Sequence, residues 1–413
     1  MSDRELDVVV HGATGFTGRL VARYLLDHAP AGTRIALSGR SRERLAQVGE
    51  GLGPAGADLP LLVADSHDDD ALADLAARTR VVATTVGPYE RHGLPLVRAC
   101  ATAGTDYVDL TGEVLFMRAS IDACHAAAAH SGARVVHACG FDSVPSDVGV
   151  HLLATTAAAH GLGRLEETRF LMTGAAGGVG GGTVATAQGV VERLASDPDA
   201  RRVALDPYAL SPDRAREPDR TVDAPPGDGP DPWGVRWDAV TGRWLAPYVM
   251  GVVNSRVVRR SNALTGWSYG RGFRYEEAIA VPGRVVGAPV AAAVAAGTLA
   301  GAAAFAVPPV RRLLDRVLPE AGTGPDEASL HEGWFAARLH ARTTSGRVVE
   351  AVLRSPGDPG YVSTARMLGE AALALVHDRD RLPDRAGVLT PATAFGDVLL
   401  RRLRAAGVTF RAL

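Results

Sequence analysis

With 413 residues, 46% of them hydrophobic and 22% charged, the chain has the composition of a folded soluble protein long enough for two domains. Its net charge of −2 argues against bulk attraction to nucleic acid or to an anionic bilayer. The three cysteines, Cys100, Cys124 and Cys139, carry no disulfide framework and no metal-ligand spacing, which fits a reducing cytosol and predicts no metal site.

The chain enters at Asp7–Val10 an apolar run suited to a buried parallel strand, with no apolar signal-peptide core ahead of it. Next comes "HGATGFTGRLV", whose Gly12, Gly15 and Gly18 are spaced GxxGxxG, and from Phe16 the apolar residues recur at helical spacing. Strand, glycine turn and helix in that order predict a pyrophosphate cradle. Gly12 permits a tight turn, Gly15 leaves no Cβ between backbone and ligand, and Gly18 lets the helix pack close, while free N–H groups of the first turn face the anion. The candidate cradle is Gly12, Thr14, Gly15, Phe16, Thr17 and Gly18. A second strand, Ile35–Leu37, runs into Ser38-Gly39-Arg40-Ser41-Arg42. A site for NAD would carry a carboxylate there to bond the ribose hydroxyls. Here Arg40 can fork to a phosphate with Ser38 in reach, so NADP(H) is favoured over NAD.

The alternation continues with "LPLLVAD" ending at Asp65, a further cofactor candidate, then the helix Asp69–Arg78 and the strand within "RVVATTVGPY". A helix around Pro95–Ala103, the strand Asp106–Leu110, the helix Val114–His130 and the strand Arg134–Ala138 complete six strands, which predicts a doubly wound Rossmann-type α/β sheet. A nicotinamide would lie beyond the carboxyl ends of the later strands, at the loops Val86–Gly93, Asp109–Glu113 and Cys139–Asp147. Gly87 and Pro88 bring backbone close to the cofactor ribose. Tyr89, Asp142 and Ser143 are the candidate catalytic residues, with His92 a further proton donor. Ser143 or Ser146 could instead cap the helix that follows, and Glu113 reads as a charge facing the dipole of its own helix. Neither GxSxG nor HExxH occurs, which excludes the common serine-hydrolase and zinc-protease patterns.

Beyond residue 146 the pattern changes to longer helices and alternating strands, predicting a second α+β domain for substrate or oligomerisation. Met172–Leu194 reads as a strand, a flexible glycine turn and a helix beginning near Thr183. Residues 197–240, rich in Pro, Asp and Arg, predict a long surface loop. Val285–Val310 carries no charge and predicts an Ala-rich helix that could pack in a homodimer or touch lipid at a membrane surface. "FAARLHARTTSGRVVEAVLR" predicts a hairpin with Phe335, Ala337, Leu339 and Ala341 on one face and the turn at Ser345-Gly346.

The ordered motifs "GATGFTG" (12–18), "SGR" (38–40), "VGPYERHGLPLVRACATAGTDYVDLTGE" (86–113), "GFDSVPSDVG" (140–149), "GGT" (181–183) and "LTPATAFG" (389–396) resemble the saccharopine dehydrogenase-like oxidoreductases, and within them the actinobacterial trans-acting enoyl reductases. The resemblance implies an NADP-binding Rossmann-type domain over 1–145, an α+β domain with a mixed or antiparallel sheet over 146–359, and a C-terminal stretch, 360–413, packed back on the first domain. It also implies an NADPH-dependent reduction of an activated C=C bond in a hydrophobic polyketide- or lipid-type acyl substrate, free or carrier-bound. A saccharopine-type imine or carbonyl reductase and a non-catalytic, lipid-associated NADP(H)-binding protein are the alternative readings.

Overall fold

The computed structural model describes residues 4–177, 181–218, 234–306, 324 and 327–413. The first half alternates β1 (Leu6–His11), α1 (Phe16–His28), β2 (Ile35–Gly39), α2 (Arg42–Gly51), α3 (Pro54–Ala57), β3 (Leu61–Val63) and α4 (Asp69–Arg78). It continues through β4 (Thr79–Thr84), α5 (Tyr89–Ala103), β5 (Asp106–Val108), α6 (Val114–Ser131) and β6 (Arg134–Val136). These strands are parallel, and the central ones are apolar on both faces and covered on both. Val8, Val9 and Val10 have no exposed surface, and helices pack on either side. The sheet has seven strands, not six, in the order β13-β6-β5-β4-β1-β2-β3, where β13 is Gly387–Leu389 from near the C-terminus. Strand order reverses between β1 and β4, so the crevice above that pair is where a dinucleotide belongs.

α7 (Val144–Ala159) leads from the end of β6 into a second seven-stranded sheet. Its strands are β7 (Leu165–Ala176), β8 (Arg236–Asp238), β9 (Arg243–Pro247), β10 (Arg274–Val281), β11 (Trp334–Thr343), β12 (Val348–Pro356) and β14 (Thr409–Ala412). The order is β14-β12-β11-β7-β10-β9-β8, mixed because β7 and β10 run parallel while the other pairs are antiparallel. The hairpin pairs Phe335 with Ser355, and its predicted inner face is buried throughout. At its turn Gly346 has φ +77°. Helix Thr364–His377 packs on α1 and β4, and Tyr24 donates to Glu370 at 2.7 Å. The C-terminal stretch therefore supplies one strand to each sheet.

The expected surface loop is one that changes. Of the long surface loop expected over 197–240, residues 219–233 lie outside the described residues, and much of the rest is structured: α8 (Gly181–Ser196) runs on into α9 (Pro198–Leu205), and Tyr208 and Leu210 are buried. The reason lies on α10 (Gly251–Leu264), whose buried Arg256, Arg259 and Arg260 donate to the carbonyls of Ala204, Pro207 and Leu210. These cations satisfy the strap's backbone, so composition alone misjudges it. The Ala-rich segment forms α11 (Gly287–Ala306), and its last residues, 307–310, lie outside the described residues. Among its described residues Gly287, Ala291 and Ala295 are buried and Val294 packs partly beside Ala291, while Val290 and Leu299 are half exposed. Among the described residues, no helix is long and apolar enough to cross a membrane.

Candidate functional site

The glycine turn sits at the carboxyl end of β1, at the reversal of strand order. Gly12 has φ +87°, and a Cβ there would come 2.7 Å from Val86 Cγ2. A Cβ on Gly18 would lie 2.2 Å from the Gly12 carbonyl oxygen, so only glycine lets α1 approach the strand this closely. Gly15 precedes α1 with no side chain capping the helix and no acidic residue in its first turn, which leaves N–H groups for an anion. Thr14, Phe16 and Thr17 are half-buried around this turn, and the Phe16 ring meets Tyr361 edge-on at 4.8 Å. The cradle thus fits a dinucleotide pyrophosphate on geometry as well as spacing.

Ser38 departs from its expected role. Its side chain is fully buried, with Oγ 3.0 Å from His11 Nδ1, while its carbonyl accepts from Gly12 and Ala13 N–H. It braces the turn from beneath. Burial lowers His11 to about 4, keeping that imidazole neutral under the turn. Arg40 follows β2 exposed to solvent, and Ala64 N–H donates to the Gly39 carbonyl, so the Arg40 and Asp65 loops lie side by side. Asp65 accepts the His67 N–H at 2.9 Å. His92 pairs with His67 at 3.2 Å, and burial, then His67, Arg91 and Arg40, lower its ionisation. This places His92 by the β3 loop on the adenosine side, away from the expected proton-donor position, and gathers cations where a ribose phosphate would sit.

On the other side of the switch point, Gly87 is exposed, Pro88 opens α5, and Tyr89 turns inward. The Tyr89 hydroxyl donates to the Thr84 carbonyl and accepts from Leu110 N–H, both at 3.2 Å, in the buried interior. Burial and then Asp109 push its ionisation well above the phenol range. It holds the β4 and β5 loops together and offers no proton to the cleft. Glu113 also differs from expectation, because its carboxylate reaches across to α5 and accepts the N–H groups of Tyr89 and Glu90 at 3.0 and 2.7 Å. Thr186 of α8 donates to the same carboxylate at 3.2 Å, tying that helix to the cofactor domain.

Behind β6, the "FDSVPSD" loop opens the long helix α7 at the junction of the two sheets. Ser143 precedes that helix without capping it. Its hydroxyl donates to Asn254 Oδ1 of α10 at 2.7 Å. Asn254 Nδ2 in turn reaches the Asp142 carbonyl, Ser146 Oγ and Glu277 Oε2, at 2.6, 3.3 and 3.0 Å, and Tyr275 donates to Glu277 at 2.6 Å. Asp142 is half-buried, and among the described residues its carboxylate has no hydrogen-bond partner. Desolvation pushes it up to about 6. Leu110, Gly112, Phe141 and Met250 stand half-buried on the same side, and Phe141 packs against Phe335 at 4.6 Å. Asn254, Glu277 and Met250 were not foreseen, since nothing local in "VMGVVNSR" or "RYEEAIAV" marks residues that fold against a loop more than a hundred positions away.

A glycine turn at the switch point of a doubly wound sheet, with α10 of a second domain held against the loop after β6, is the arrangement of a two-domain, NAD(P)-dependent oxidoreductase. Residues 8–136 match the saccharopine dehydrogenase NADP-binding domain. Over 413 aligned residues the chain is 49% identical to a putative trans-acting enoyl reductase of Mycobacterium tuberculosis, covering 99% of this chain and 97% of that one. A trans-acting enoyl reductase of Mycobacterium ulcerans is 45% identical, covering 100% and 98%. The structure of apo saccharopine dehydrogenase (L-Glu forming) from Saccharomyces cerevisiae superposes with a TM-score of 0.53 over 99% of each chain at 13% identity, a likeness of fold. The chain belongs to the saccharopine dehydrogenase-like oxidoreductases, among their trans-acting enoyl reductases. Its cofactor is NADP(H).

Proposed function

We propose that the protein reduces the activated C=C bond of a hydrophobic, polyketide- or lipid-type acyl thioester. The observation that carries this reading is Asp142, a desolvated carboxyl near 6 with no hydrogen-bond partner among the described residues, in the loop after β6 beside the half-buried Leu110, Phe141 and Met250. Bound NADPH supplies a hydride to the β-carbon of the substrate. The Gly12–Gly18 turn and Arg40 hold the two ends of the cofactor's phosphate-bearing half, and Leu110, Phe141 and Met250 exclude water around the acyl chain. Asp142, protonated in useful fraction near neutral pH, gives its proton to the α-carbon. Ser143 and Asn254 are positioning residues that fix the backbone carrying Asp142.

The names of the relatives support the same chemistry, and the arginines argue against a dicarboxylate substrate. Arg256, Arg259 and Arg260, on the helix that carries Asn254, are buried and turned to backbone carbonyls, so none of them is offered to a carboxylate in the cleft. The test is loss of NADPH absorbance with trans-2-enoyl thioesters of increasing chain length, against keto and imino acids as contrast. Turnover that rises with acyl length is the expected result. Turnover of keto or imino acids with inert enoyl thioesters would overturn the reading.

A further inference from the structure

The segment joining β9 to α10 packs beside the loops after β5 and β6 and carries a tyrosine that no motif marks. Pro247 pairs with Ala278 of β10, so Tyr248 falls beside Glu277, and Gly251 N–H donates to the Tyr248 carbonyl at 2.9 Å to turn the chain into α10. Met250 reaches the β5 loop, where a Cβ added to Gly112 would lie 3.6 Å from its Cε. One turn into α10, Asn254 holds the Asp142 carbonyl. Tyr248 is thereby fixed above the ends of β5 and β6, half-buried, its ring stacked on Phe170 at 6.3 Å and 16°.

The other hydroxyls around this junction are spent. Tyr89 donates to Thr84, Tyr107 to Asp109, Tyr275 to Glu277 and Ser143 to Asn254. Among the described residues the Tyr248 hydroxyl has no such partner. We propose that Tyr248 is a second catalytic residue, whose O–H bonds the substrate's acyl carbonyl oxygen and stabilises the enolate that forms as the β-carbon is reduced. Burial, then the neighbouring Glu277 and Asp142 carboxyls, push its ionisation well above the phenol range, so it acts as a neutral donor.

This inference rests on the enoyl reductase reading. A two-electron hydride from NADPH forms the new C–H bond at the β-carbon, the C=C π pair shifts to join the α-carbon to the carbonyl carbon, the C=O π pair moves to the oxygen held by Tyr248, and NADP⁺ results. The oxygen pair then re-forms the C=O bond while the enolate's C=C pair takes a proton at the α-carbon from the Asp142 carboxyl, and Asp142 is reprotonated from solvent. Net, the enoyl thioester, NADPH and one proton give the saturated thioester and NADP⁺.

Tyr248→Phe in the full chain keeps the ring on Phe170 and removes the O–H alone. With a trans-2-octenoyl thioester of coenzyme A as probe, kcat should fall by about 100-fold. Fluorescence titration of NADPH and the melting temperature should match wild type, and the pH profile set by Asp142 should persist. Activity within about threefold of wild type, or loss of NADPH binding in the variant, would overturn the assignment. A wild-type protein that oxidises no NADPH with any enoyl thioester would instead bring down the enoyl reading, and Tyr248's role with it.

Discussion

On the proposed reading, Gly12, Gly18 and Arg40 divide the cofactor's recognition between backbone shape and charge. A side chain at Gly12 meets both a left-handed φ of +87° and Val86 at 2.7 Å, so Gly12→Ala should abolish detectable NADPH binding in a fluorescence titration. Unchanged affinity in a folded variant would remove the turn from the site. Arg40 stands exposed beside the Asp65 loop, and the proposal gives it the 2′-phosphate. Arg40→Ala should weaken NADPH by about 1–3 kcal/mol, roughly 5- to 150-fold, and leave NADH nearly unchanged. Equal losses for both cofactors would contradict that role. Ser38 teaches the opposite lesson, since a serine in the right loop proved to be turned inward onto His11.

Helix α10 acts as the clamp of the second domain. Arg260 donates to the Leu210 and Val388 carbonyls at 2.5 and 2.6 Å, joining the buried strap to strand β13, and burial lowers it to about 9, still charged at neutral pH. Arg260→Met leaves both carbonyls buried without a donor and should cost about 2–4 kcal/mol in urea unfolding. A loss below the error of that measurement would mean water replaces the guanidinium. Asn254 on the same helix binds three separate elements, so Asn254→Leu should lower kcat more than it raises KM by loosening the Asp142 loop. An effect on KM alone would place Asn254 in substrate binding.

Across the molecule, buried carboxyls couple stability to pH. Asp147 accepts from Ser261 and from Ala392 N–H, and desolvation raises it from 3.8 to about 7. Between those values the folded chain keeps a proton that the unfolded chain releases, so this group's contribution is fully present below about 4 and is lost as pH rises to about 7. Asp147→Asn should therefore gain on wild type as pH rises from 5 to 7, by about 2 kcal/mol. The lowered histidines, His11 among them, work in the other direction but cancel in this difference. A pH-independent gap between the two melting curves would contradict the shift. Because residues 387–389 and 409–412 supply a strand to each sheet, truncation after residue 359 should yield insoluble protein, with no separately folded first domain.

The local part of this molecule was legible from the chain alone. The strand, glycine turn and helix at 6–28, the arginine after β2, the six-strand alternation and the hairpin turn at Gly346 depend on neighbours within a few residues, where periodicity and glycine conformation act. What the tertiary structure decided was which polar groups remain free. Spacing nominated Tyr89, His92 and Asp142 alike as proton donors. Long-range packing spent Tyr89 on Thr84, paired His92 with His67 by the β3 loop and left Asp142 desolvated, its carboxylate without a hydrogen-bond partner among the described residues. The seventh strand, the buried strap at 204–210 and Tyr248 were hidden for the same physical reason. Each is determined by a contact with a residue distant in the chain, and burial and hydrogen-bond satisfaction are properties of that contact.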